Sequence, residues 1–246
     1  MVENGRLAAG YNRGLMLIKI RRTLAVGLLL FSGSLLIWAS LGGQRQVMTQ
    51  TILPSEMQLP SNTQVIIPAI LETRQVVLEW PSSMRIGDIG VISLVFEPIR
   101  NDAPSSYPQG EFTDVYKNYS MMAEARIEAA GISANPANPT RESMPSGDSV
   151  KFKWQVNIEQ AGSYHTNVWL SLRFLPLDGS LASQKPIFVR EVDIHAISLF
   201  GLSAPLARLL GGVGIIISVL LIFDDMIGLV RKLIGKINLT ADSSQK

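Results

Sequence analysis

Two uncharged apolar runs bracket a long middle segment in which apolar and polar residues alternate. The first run, "TLAVGLLLFSGSLLIWASLGGQ" (23–44), has no charge between Arg22 and Arg45. As a helix it would span about 33 Å, close to the roughly 30 Å hydrocarbon core of a bilayer. The second run, 196–223, is interrupted by Arg208. Between them the pattern has period two, and "VKFKWQVNIE" is its clearest stretch. Val150, Phe152, Trp154, Val156 and Ile158 point one way, and the intervening polar residues point the other. A half-buried strand requires that alternation.

The same period recurs in "YHTNVWLSLRF", with Tyr164, Val168, Leu170, Leu172 and Phe174 inward, and in "MMAEARIEA" and "IGVISLVFEP". "VVLEW" (76–80), "QVIIPAIL" (64–71) and "PIFVREVDIHAI" (186–197) bring the total to about seven strands. Turn-forming clusters such as "PSSMRIGD", "EQAGS" and "PLDGS" separate them. The expected fold is mainly β: an antiparallel β-sandwich flanked by two transmembrane α-helices. The divisions are a cytoplasmic segment 1–22, a first span 23–43, a tether 44–63, an extracytoplasmic β domain 64–197, a second span 198–225 and a basic amphipathic tail 226–246. Loops at 99–118 and 131–148 are the candidate contact surfaces.

Charge orients this arrangement. Residues 1–22 carry five Lys or Arg against Glu3 alone, whereas residues 45–195 carry twelve basic and sixteen acidic groups. Arg231, Lys232, Lys236 and Lys246 follow the second run. Basic flanks stay in the cytoplasm, so both termini are expected inside and the middle outside. The first run is longer than a signal peptide's apolar region, and Trp38 or Ile37 would fill the small-residue position of its cleavage site, which favours a retained anchor.

Arg208 fits the second span only near its outer end, where a long stem can lie in hydrocarbon while the guanidinium reaches the headgroups. Asp224 and Asp225 mark the inner interface; Arg231, Lys232 and Lys236 follow either on a basic amphipathic helix against the anionic inner leaflet or as the ordinary basic flank that stops a span. Ser203, Ala207, Gly211, Gly214 and Ser218 form a stripe of small residues suited to close helix packing, with Gly27, Ser32, Gly33 and Ser34 as complements on the first span.

Chemistry-bearing patterns are sparse. The chain has no cysteine, which excludes disulfides, thiolate nucleophiles and cysteine-ligated metals. His165 and His195 have no metal-ligand spacing, and the adjacent Asp224 and Asp225 point to different sides of a helix. No phosphate loop, dinucleotide fingerprint or nucleophile elbow is present, and no basic stripe suggests nucleic acid. "NYS" (118–120) is a glycosylation sequon. No catalytic residue, metal or cofactor is expected.

"AGSYHT" (161–166) resembles the stretch that opens a strand in immunoglobulin-like domains, where a tyrosine packs at a corner two residues before a cysteine. Tyr164 and Trp154 match the corner tyrosine and core tryptophan types, while Thr166 stands in place of the cysteine and Trp154 lies closer to Tyr164 than the family pattern has it. The two also suit a plainer role as core aromatics on adjacent strands. The resemblance implies a membrane-anchored protein with an immunoglobulin-like ectodomain.

The expected function is a non-enzymatic membrane protein whose outer domain binds another protein, as an accessory or assembly subunit. The alternative is a sensor or transport component relaying ligand binding through paired spans. Expected partners are the lipid bilayer and another membrane or extracytoplasmic protein, or a second copy. Modest size without disulfides points to a bacterial cytoplasmic membrane.

Overall fold

In β10 (Val150–Asn157) the alternation read from the sequence becomes a burial pattern of strict period two. Its neighbour β5 (Ile89–Pro98) pairs antiparallel with it, setting Phe152 against Leu94 and Trp154 against Ile92. The computed structural model describes the backbone of residues 3–58, 67–99 and 112–242, and the side chains of 19–58, 70–99 and 114–223. It divides into two units: residues 42–203, which are mainly β, and a helical unit formed by residues 1–41 and 204–246.

The β unit contains two five-stranded sheets. In the first, β1 (Arg45–Ile52) pairs with β3 (Arg74–Pro81), followed by β5, β10 and the short β8 (Ser133–Asn135). In the second, β4 (Ser83–Arg85) leads to β12 (Ser183–Ile197), β11 (Gly162–Pro176), β7 (Tyr119–Ala129) and β9 (Thr140–Ser143). The long pairings are antiparallel. The three-residue contact of β4 with β12 is parallel, as is that of β2 (Ile67–Ala69) with β6 (Phe112–Asp114), so the sheets depart from a purely antiparallel arrangement.

One buried cluster draws on both sheets: Leu78, Leu94, Phe96, Phe152 and Trp154 from the first, and Ala123, Val168, Leu170, Phe174 and Ile194 from the second. Burying each large apolar side chain contributes about 1.5–3 kcal/mol against exposure. Trp154 and Tyr164 lie on strands consecutive in the chain but in opposite sheets, which corrects their expected placement on adjacent strands.

The segment expected to be a tether opens with β1, an eight-residue strand. Its pattern was illegible because only Ile52 is fully buried, and β1 is held chiefly by main-chain pairing to β3. Of the strand expected at 64–71, β2 is the described part, and residues 64–66 lie outside the described residues. Most of the 99–118 loop lies outside the described residues.

The helical unit pairs α1 (Glu3–Ser40) with α2 (Ala204–Asp242). Two helices are therefore long and apolar enough to cross a membrane, over Lys19–Ser40 and Ala204–Phe223. Helix α2 begins six residues later than the expected second span. Residues 199–202 instead form a tight turn closed by a Leu199–Leu202 bridge, with Phe200 and Gly201 at φ 53° and 75°. Such dihedrals interrupt a right-handed helix. Pro205 then falls in the first turn of α2, where its missing N–H removes no helical bond. Helical backbone continues through 226–242, so the tail is an extension of α2 and not a separate helix.

Candidate functional site

Three features concentrate unusual chemistry: the seam of the helix pair, a buried arginine in the β unit, and the outer surface of its second sheet.

On α2, Ala204, Ala207, Gly211, Gly214 and Ser218 are buried, at alternating spacings of three and four residues. On α1, Ala25, Ser32, Leu35 and Ala39 are buried, and the partly buried Leu28 completes the same repeat. This spacing keeps one narrow stripe facing a partner helix. A Cβ on Gly211 would meet Leu36 Cγ at 2.6 Å, so the glycine is what permits the approach. Ser218 Oγ donates to the Gly214 carbonyl at 2.7 Å, which satisfies the buried hydroxyl within its own helix.

Ser203 precedes the helix, and Ala204 takes its place in the stripe. Of the complements expected on α1, only Ser32 is buried. Gly27 and Gly33 have open space where a Cβ would stand, and Ser34 is exposed with its hydroxyl bonded to Phe31 O. Sequence spacing alone does not say which face of α1 is used.

Arg208 donates from Nε and Nη2 to the carbonyl oxygen of Ala39, at 3.1 and 3.0 Å. Ala39 belongs to the last turn of α1, whose carbonyls lack helical donors and carry the negative end of the dipole. At the other end of the pair, Arg21 Nη2 donates to Leu221 O at 3.4 Å. The side chains of Asp224, Asp225, Arg231, Lys232 and Lys236 lie outside the described residues.

In the β unit, Arg74 is 0% exposed. Its Nε donates to Glu72 Oε1 at 2.8 Å, Nη2 also bonds that carboxylate, and Nη1 donates to Asp148 O at 2.9 Å. Its guanidinium lies over the Phe96 ring, and Glu72 accepts from Gly147 N, so the pair pins the turn between β9 and β10. Tyr116, close by, has its phenol pushed up to about 12 by burial, with Arg74 pulling the other way and Glu72 and Asp114 adding to the rise. Sequence reading missed this knot, although a signal existed: Arg74 holds the inward parity of Val76, Leu78 and Trp80.

Pairing of β11 with β12 sets Ser163 opposite His195 and His165 opposite Asp193. The two histidines, thirty residues apart in sequence, therefore lie on neighbouring strands. Ser163 Oγ lies 2.9 Å from His195 Nδ1, and His165 Nδ1 lies 2.6 Å from Asp193 Oδ1 and 3.6 Å from Glu191 Oε1. All these groups are exposed, so these are solvent-screened surface contacts.

The corner at Tyr164 is built locally. Its hydroxyl donates to Gln160 O at 2.9 Å, and the ring lies against Gly131, whose φ of 76° suits glycine. Thr166 is buried and its hydroxyl donates to Glu128 O at 2.9 Å.

No protein-family model matches the chain, and no curated protein matches it. Solved structures match it at low identity and low TM-score. The chain from the complex of zinc 2-glycoprotein with prolactin-inducible protein, from human seminal plasma, is 8% identical over 50% of this chain and 93% of its own, at TM-score 0.33. A CARDB domain of Pyrococcus furiosus, solved in complex with di-metal ions, is 7% identical over 65% of this chain and 100% of its own, at TM-score 0.28. AggA, the major subunit of Escherichia coli aggregative adherence fimbriae type I, is 8% identical over 64% of this chain and 98% of its own, at TM-score 0.27.

Proposed function

We propose that this chain is a non-enzymatic, two-span integral membrane protein. In this reading the β unit is an extracytoplasmic immunoglobulin-like sandwich that engages another protein, as an accessory or assembly subunit of a membrane complex. The observation that carries the membrane part is an inverted helix pair. Ala, Gly and Ser make up the α2 side of the seam and alternate with Leu28 and Leu35 on the α1 side, while Leu24, Leu30, Phe31, Leu209, Ile216 and Leu220 are exposed on the outside. A helix pair in water puts large apolar residues inside and polar ones outside, whereas lipid accepts the reverse.

Supporting the sandwich are the two sheets with a shared core and the hydrogen-bonded corner at Tyr164. Basic flanks support cytoplasmic termini. Arg208 serves at the outer interface, Asp224 and Asp225 at the inner one, and Arg231, Lys232 and Lys236 against the inner leaflet. Open sheet edges and loops support engagement of a protein.

Protease shaving of intact cells or spheroplasts, together with reporter fusions, tests topology. Residue 120 is expected on the opposite side from residue 240, and finding both on one side overturns the membrane reading. Affinity purification from native membranes in mild detergent tests the interaction. A complex is expected, and a lone monomer in every preparation overturns it.

A further inference from the structure

Open strand edges expose unpaired main-chain groups, and folded proteins normally blunt them. Among the described residues, β4, β8 and β9 are edges of only three or four residues. The outer edge of β12 is long, but it carries Lys185, Pro186, Arg190, Glu191 and Asp193 and is bent where the register with β11 shifts near Leu170. By contrast, β1 runs eight residues with neither a charge nor a proline after Arg45, and Val47 is 64% exposed. Among the described residues it is the long edge left without a blunting device.

The direction of its free groups follows from its pairing with β3. Ser82 N donates to Gln44 O at 2.9 Å, so Gln44 belongs to a hydrogen-bonded position. Antiparallel ladders alternate hydrogen-bonded with non-hydrogen-bonded positions. The even residues of β1 therefore bond β3, and the main-chain groups of Arg45, Val47, Thr49 and Thr51 point away from the sheet. The far side of β3 agrees: Ile99 N donates to Thr73 O at 2.9 Å, which assigns odd positions there to β5.

We infer that β1 pairs antiparallel with β1 of a second copy, about a two-fold axis through Met48. This names the partner within the protein-engaging reading above and rests on it. The sequence is self-complementary in that one register. Arg45 falls opposite Thr51 of the second copy and Val47 opposite Thr49, so all four outward positions find outward positions. Four pairs exchanging two bonds each make about eight hydrogen bonds. Shifting the register by one residue breaks the parity, and shifting it by two leaves outward groups unpaired at an end. The two copies of Arg45 fall at opposite ends, and each is already held by Glu79 at 2.8 Å, so no like charges meet. Val47 and Thr49 form the cross-strand β-branched pairs that favour a sheet. The result joins two five-stranded sheets into one.

The absence of native cysteine makes the test direct. The full chain is studied in native membranes and in nanodiscs. Met48→Cys is expected to form a disulfide between two copies under mild oxidation, because non-hydrogen-bonded partners across such an axis lie close together. Thr51→Cys is expected not to, since the two copies of residue 51 lie roughly 20 Å apart along the strand. Gln46→Cys and Gln50→Cys, both exposed, are expected to cross-link only when the two variants are mixed, which covers the case of Met48→Cys folding poorly. Thr49→Pro removes an N–H that the single copy does not use. It is expected to weaken the dimer at least tenfold while leaving the melting temperature unchanged.

A cross-link from position 48 to a different protein overturns the second-copy inference and leaves the protein-engaging reading standing. Absence of the 46–50 mixed cross-link in chains that remain monomeric overturns the inference on its own. No cross-linked protein at any of these positions, together with no co-purifying protein, overturns both.

Discussion

A Cβ on Gly214 would run into the Ser32 hydroxyl and lie 3.0 Å from Ser32 Cβ. A Cβ on Gly211 would also lie 3.1 Å from the Ser32 main-chain oxygen, so the two helices pack tightly at both glycines. Gly212, two positions away, has nothing within 4 Å. The same substitution is expected to have opposite effects at the two sites. Gly211→Ala combined with Gly214→Ala should cost about 1–3 kcal/mol through overpacking. Gly212→Ala should be neutral or favourable by up to about 1 kcal/mol, because alanine is the better helix former. Thermal unfolding in one detergent checks both.

The Arg208 bond to the Ala39 carbonyl gives the second prediction. Replacing Arg208 by Met removes both of its donors to the Ala39 carbonyl, and should cost about 1.5–3 kcal/mol. Arg208→Lys keeps the charge but loses the paired N–H geometry, so its effect should fall between the two. Melting temperatures of the three chains supply the ranking, and a Met variant as stable as the parent refutes the role.

Acid sensitivity of the β unit should centre on Glu124. Burial works against its charge, but Arg141 at 2.5 Å, Gln184 at 3.2 Å and Arg173 at 3.3 Å outweigh it, and its pKa is lowered from 4.5. A carboxylate held low stabilises the fold above its unfolded value, and that contribution is lost as pH falls through the folded one. Stability should therefore decline below about pH 4.5, and Glu124→Gln should flatten that decline while lowering stability at neutral pH. Melting temperature against pH for both chains is the measurement.

At the turn before α2, Phe200 holds φ 53° and is 85% exposed. A left-handed dihedral costs a non-glycine residue about 1–2 kcal/mol, and here little packing offsets it. Phe200→Gly or Phe200→Asn should raise the melting temperature in detergent, and Gly201→Ala, at φ 75°, should lower it.

Period-two alternation was legible wherever a strand buries one face. Val150 to Ile158, Met121 to Ala125 and Val168 to Phe174 all turned the expected face inward. Strands that bury little, or that run only three residues as β4 does, left no such trace, so β1, β4, β8 and β9 were missed. Their existence depends on hydrogen bonding to neighbours distant in sequence. The small-residue stripe of α2 was visible as composition, but its phase was off by one at Ser203. Which α1 residues oppose it depended on helix rotation, which no local pattern encodes. The contact of Arg74 with Asp148 and the pairing of His165 with Asp193 were invisible for a related reason: each depends on segments 28 to 74 residues apart meeting in the folded chain.

Because α1 and α2 seat their small faces on each other, that surface is already spent inside a single molecule. A third rod coming alongside α2 would meet chiefly Leu209, Ile216 and Leu220, and not the buried groove of Gly211 and Gly214. Its grip would have to come from bulkier, less intimate interlocking, and lateral assembly along this hairpin should be correspondingly looser than the hairpin itself.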